Sequence, residues 1–136
     1  MRILLTVFVA VSIFVLSGCS SQSLEAPASI SQPLPTVPPD YAGKTIPPKV
    51  DVSAGADIFR TDCVTCHGES GHGDGPASQA LEPHPVNLVA LSKISADDFL
   101  FWKMSTGVDG TAMPAWKSTL TDQQIWQVIA FIRTLK

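Results

Sequence analysis

Positive charge is scarce in this chain: of 136 residues nine are Lys or Arg against twelve Asp or Glu, and the basic ones form no cluster. A nucleic-acid surface is excluded on that ground, because a polyanion is held by a patch or stripe of cations. Cysteine is nearly absent as well. Three thiols cannot all pair, so a disulfide framework leaves one over in any scheme. No internal repeat and no sustained apolar/polar alternation occurs, which argues against solenoids and half-buried sheets. The longest apolar run, Ile3 to Leu16, falls short of the ~20 residues that a bilayer-spanning helix needs.

What the chain does have begins at that run. Arg2 precedes it and Leu16-Ser17-Gly18-Cys19 closes it, an arrangement that resembles a bacterial lipoprotein signal. The resemblance implies that residues 1–18 are a removed signal peptide and that Cys19 is the mature N-terminus, carrying lipid on its sulfur and its amino group. Several acyl chains on one residue anchor firmly, each buried methylene adding about 0.8 kcal/mol. Ser20 after Cys19 resembles outer-membrane-directed lipoproteins of two-membrane bacteria; in a single-membrane cell the anchor is the plasma membrane. Residues 19–49, with seven prolines from Pro27 to Pro48 and several serines, read as a tether. At about 3.1 Å per residue it reaches up to ~90 Å when extended.

The chemistry is concentrated in Cys63-Val64-Thr65-Cys66-His67. C-x-x-C-H is the attachment signature of c-type haem: each thiol adds across one vinyl group, and the histidine supplies an axial nitrogen to the iron. A redox dithiol is the first competing reading, but it needs a strand before the motif, and Ala54 to Arg60 reads as helix. Zinc is the second. It needs a fourth ligand, and although His72 and His84 are available, no second C-x-x-C or H-x-x-x-H follows. With Cys19 lipidated and two thioethers formed, all three cysteines are accounted for.

Residues 50–136 form the domain, near the lower size limit for a chain folding on its own core, a deficit that a buried haem fills. Helices are expected from Ser53 to Asp62, from Ser95 to Thr106 with Ser95 and Asp98 as a capping signal and Gly107 as the stop, and after Thr121. There Thr121 and Gln124 form a capping box ahead of Ile125, Val128, Ile129, Ile132 and Leu135 at helical spacing. Residues 68–90, rich in Gly and Pro, read as a loop able to wrap a flat ligand. For the second axial position the candidates are Met113, Met104, His84 and His72. Met113 lies in Ala112-Met113-Pro114, where a non-helical loop can hold a sulfur rigidly, whereas Met104 lies in a helix.

Together these residues resemble the small monohaem class I cytochromes c of bacteria over about residues 50–136. The resemblance implies an all-α fold of three to five helices around one covalent haem c. It further implies Gly55 and Phe59 crossing Val128 and Phe131, Pro76 accepting a hydrogen bond from His67 through its carbonyl, and Met113 as distal ligand beside His67. The implied function is one-electron transfer, not enzyme catalysis. The expected setting is a membrane-tethered carrier between respiratory or photosynthetic complexes, with a fixed subunit of a larger oxidoreductase, such as a quinol-oxidising complex, as the alternative. Its partners are redox proteins with a basic patch facing this acidic domain. Its place is extracytoplasmic, where haem of this type is attached.

Overall fold

In the computed structural model, which describes residues 33–136, every regular element is helical. Helix α1 (Val52–Ile58) continues through a π-helical turn (Phe59–Cys63) into α2 (Val64–His67), followed by α3 (Leu88–Ile94), α4 (Asp97–Thr106) and α5 (Asp122–Ile132). Counted through the π turn, α1 and α2 are one helix, so the fold is a four-helix, all-α arrangement.

The expected capping box forms. Thr121 Oγ1 accepts from the Gln124 amide at 3.3 Å while Gln124 Oε1 accepts from the Thr121 amide at 2.9 Å, satisfying donors that the first turn of α5 leaves unpaired. Ile125, Val128, Ile129 and Ile132 are buried along this helix. At the crossing with α1, Gly55 lies so close that a β-carbon there would overlap the Gln127 carbonyl. One turn on, the Phe59 and Phe131 rings pack with centroids 5.2 Å apart, tilted by 56°. The expected pairing of Gly55 and Phe59 with Val128 and Phe131 is therefore present.

Three local expectations change. The first helix runs on to His67 because the Val64 amide bonds back to the Phe59 carbonyl, an i→i+5 link that a 3.6-residue pattern does not contain. Ser95 does not cap α4. Its hydroxyl donates to the Leu91 carbonyl at 2.8 Å, adding a second donor to the carbonyl that its own amide already bonds at 3.0 Å, and Ala96 occupies the cap position of α4. Helix α3 begins within the expected loop, capped by Asn87, whose side chain accepts from the Ala90 amide at 2.9 Å.

Part of the segment before residue 50 packs on the domain. Cys19 and the signal lie outside the described residues, but residues 33–49 of the expected tether lie on the domain, with Leu34, Val37, Tyr41 and Ile46 packed on the core. The amides of Gly43 and Ile46 donate to Asp98 Oδ2 and Asp97 Oδ2 at 2.8 and 3.2 Å. Arg133 binds Asp97 Oδ1 through Nε and Nη2, at 3.1 and 2.7 Å, and also reaches the Ser92 and Ser95 carbonyls. One guanidinium so ties α5, the α3–α4 corner and, through Asp97, this N-terminal segment.

Candidate haem site

The four helices leave an apolar cavity of about 530 Å³, within the ~300–1,000 Å³ range usual for cofactor sites. Its walls include Phe59 from the π turn, Leu88 and Leu91 from α3, Leu100 and Met104 from α4, and Val128 and Ile132 from α5.

The motif residues reach this cavity because of how their helix ends. Cys63 closes the π turn with φ −114°, and Cys66 and His67 occupy the last turn of α2. The terminal carbonyls of that turn lack helical donors, and the following glycine-rich loop supplies them: Ala77, Gly75 and Gly73 donate to Thr65, Cys66 and His67 at 2.9, 3.2 and 2.9 Å. Pro76 sits between two of those donors with its ring exposed. It is not part of the cavity wall.

His67 Nδ1 lies 3.2 Å from the Val86 carbonyl. A carbonyl only accepts, so Nδ1 carries the proton and Nε2 keeps its lone pair for a metal. The expected acceptor, the Pro76 carbonyl, is thus corrected to Val86. The physical reason is that the amides of Gly75 and Ala77, on either side of Pro76, are committed to the end of α2, and the carbonyl that meets the His67 ring is that of Val86. Burial lowers the pKa of His67, the Val86 contact opposing it, so the neutral, ligating form is favoured. The Cys63 thiol is pushed up to about 12 by burial, with Asp62 and Cys66 adding to the rise. Before any covalent attachment it is a protonated thiol rather than a thiolate.

On another wall stands Met113. Helix α4 stops at Gly107, whose φ of 74° suits glycine and whose missing side chain lets the Met113–Ala115 backbone lie against it. Thr111 Oγ1 accepts from the Met113 amide at 3.1 Å, and the Met113 carbonyl accepts from Val108 at 3.2 Å. The backbone that carries the sulfur is therefore held from both sides. Of the other axial candidates, Met104 and His84 also line the cavity, while His72 is exposed and does not.

Sequence reasoning missed Trp116 and Leu34. Trp116 lines the cavity, and its Nε1 is buried without a hydrogen-bond partner. A buried unpaired donor costs about 1–3 kcal/mol, so the site fits a ligand that brings an acceptor, as a haem propionate does. Lys103, with its ammonium 3.9 Å from the Trp102 ring centroid, adds a cation at the same cavity. Nothing in the residue order reveals an indole N–H left over by folding. Among the described residues no three His, Cys, Asp or Glu side chains are grouped to hold a metal by themselves, and none of the helices is long and apolar enough to cross a membrane.

Residues 50–132 match the family described as cytochrome c oxidase, cbb3-type, subunit III. The chain belongs to this family. It is a small, all-α class I cytochrome c-type domain, an electron-transfer module rather than a catalytic one, with Cys63 and Cys66 spaced for haem c attachment. The chain is 29% identical over 128 residues to the cytochrome c subunit of a quinone-dependent alcohol dehydrogenase from Gluconacetobacter polyoxogenes. That alignment covers 85% of this chain and 27% of the relative, so the chain spans about a quarter of that protein's length. It is 28% identical to cytochrome c6 of Parathermosynechococcus lividus over 82 residues, 60% of this chain and 87% of that one. In fold it is similar to a chain of the reducing HAO-like protein complex of Kuenenia stuttgartiensis, with TM-score 0.57, 21% identity, and coverage of 85% of this chain and 53% of that one.

Proposed function

We propose that this chain transfers single electrons through one haem c, joined as thioethers to Cys63 and Cys66 and ligated by His67 and Met113, as a fixed subunit of a larger respiratory oxidoreductase. The convergence of those four side chains on one apolar cavity is the observation that carries the reading. The bound haem supplies a ferric/ferrous couple. Around it, Val86 holds the His67 ring through Nδ1, and the Met113 thioether with the apolar walls favours the ferrous state, raising the potential. Trp116 Nε1 is a donor placed for a propionate.

Subunit rather than swinging carrier is the better-supported setting. The family name and the alcohol dehydrogenase relative are both those of subunits of larger enzymes, and residues 33–49 lie on the domain. If Cys19 carries lipid, only fourteen residue steps separate it from the segment that lies on the domain, a reach of at most ~50 Å for any chain of that length. That length suits a domain docked beside its partners at the extracytoplasmic membrane face.

The test is the visible and near-infrared spectrum of the purified protein, produced in a host that matures c-type cytochromes. Six-coordinate c-type bands with the ferric sulfur charge-transfer band are expected. A haem spectrum lacking that band defeats Met113 ligation, and no haem at all defeats the site. Stoichiometric co-purification with other subunits is expected from native membranes. Cys19→Ala should release a spectrally normal protein into the soluble fraction; a variant still bound to the membrane, or lacking haem, contradicts the separation of anchor from redox site.

A further inference from the structure

Residues 33–49 lie outside the span that matches the family, yet they pack on the core and one of them, Leu34, lines the cavity. Their contacts follow α4 in order. Running back from Ile46 through Gly43 to Tyr41, the chain meets Asp97, Asp98 and then Phe101, whose ring centroid is 6.2 Å from that of Tyr41. A turn closed by the Tyr41 and Ala42 amides on the Pro38 carbonyl, at 2.9 and 3.0 Å, carries the segment onward. Leu34 then stands in the wall of the cavity that His67 and Met113 also line. Prolines at 33, 35, 38 and 39 restrict φ through this stretch, which lowers the entropy lost in holding it down.

We propose that residues 33–49 are a fixed strap along α4, and that Leu34 is the side chain by which it closes the cavity to water and to small exogenous ligands that compete with Met113. The proposal rests on the haem reading above. Its chemical sense is that a neutral thioether is readily displaced by a nitrogen ligand of higher basicity, so a site built for electron exchange must keep such ligands out. Here an apolar side chain from outside the helical core does so. Leu34 is a positioning and shielding residue, with no part in ligation.

The experiment titrates imidazole into the full-length, haem-loaded protein, wild type and variants, and follows the ferric sulfur band. Amide hydrogen exchange at Gly43 and Ile46 reports whether the strap is docked. Leu34→Ala is expected to bind imidazole about tenfold more tightly than wild type or better, with both amides still protected. Tyr41→Ala, which loosens the strap at Phe101, is expected to raise imidazole affinity and the exchange of both amides together. A wild type that shows the sulfur band while both variants bind imidazole no better overturns the strap alone. A wild type without that band overturns the haem reading, and the strap with it.

Discussion

Met113→Ala is expected to abolish the near-infrared sulfur band, to lower the reduction potential by roughly 100–300 mV out of the ~0.8 V that axial ligation spans, and to leave the haem attached. The separation arises because attachment and distal ligation come from different parts of the chain. Cys63, Cys66 and His67 are held by the end of α2 and its capping loop, whereas Met113 depends on Gly107, Val108 and Thr111. Removing the thioether leaves a gap in the wall of a cavity that Leu100, Met104 and Val108 also line, and an iron position open to carbon monoxide. Potentiometric titration and the carbon monoxide difference spectrum read both effects. A retained band would assign the sulfur to Met104, and a bis-nitrogen spectrum would assign the ligand to His84, the two other candidates on the cavity wall.

Gly55→Ala is expected to destabilise the domain by at least ~3 kcal/mol, an overpacking cost at the upper end for a single methyl group. Here the obstacle is backbone. The added carbon would meet the Gln127 carbonyl and the Val128 amide, neither of which can rotate away as a side chain does. To admit it, α1 must lift from α5, and the Phe59–Phe131 contact one turn away opens with it. Thermal unfolding of the haem-loaded protein measures the effect. A loss of this size corresponds to a fall in Tm of ~12 °C or more for a domain of about a hundred residues, and a fall of only a few degrees would mean that the crossing adjusts freely.

The elements legible in the residue order were those whose cause is local. The box of Thr121 and Gln124 and the apolar stripe behind it announce α5, and Gly107 marks the end of α4. Ser95 illustrates the opposite case. Read alone it is an N-cap, but α3 ends directly before it, and the Leu91 carbonyl takes its hydroxyl. Helix α3 itself was hidden by the prolines that precede it, although Asn87 followed by an apolar Leu88-Val89-Ala90-Leu91 was a readable start. The Pro76 assignment shows the limit of carrying a role over by resemblance: spacing placed a proline after the loop, while the fold brought the Val86 carbonyl to His67.

What the amino-acid sequence determined by itself is the chemistry and the helical frame. Five adjacent residues bring two thiols and an imidazole together at the spacing of a haem c attachment motif, and caps and 3.6-residue periodicity act over one or two turns. The tertiary structure alone decided which carbonyl orients His67, that Trp116 keeps an unpaired donor, and that Leu34 joins the cavity wall. Each of those facts joins segments separated by about twenty to eighty residues. Such contacts depend on how the helices pack, and no local pattern in the chain encodes which distant backbone atom will arrive.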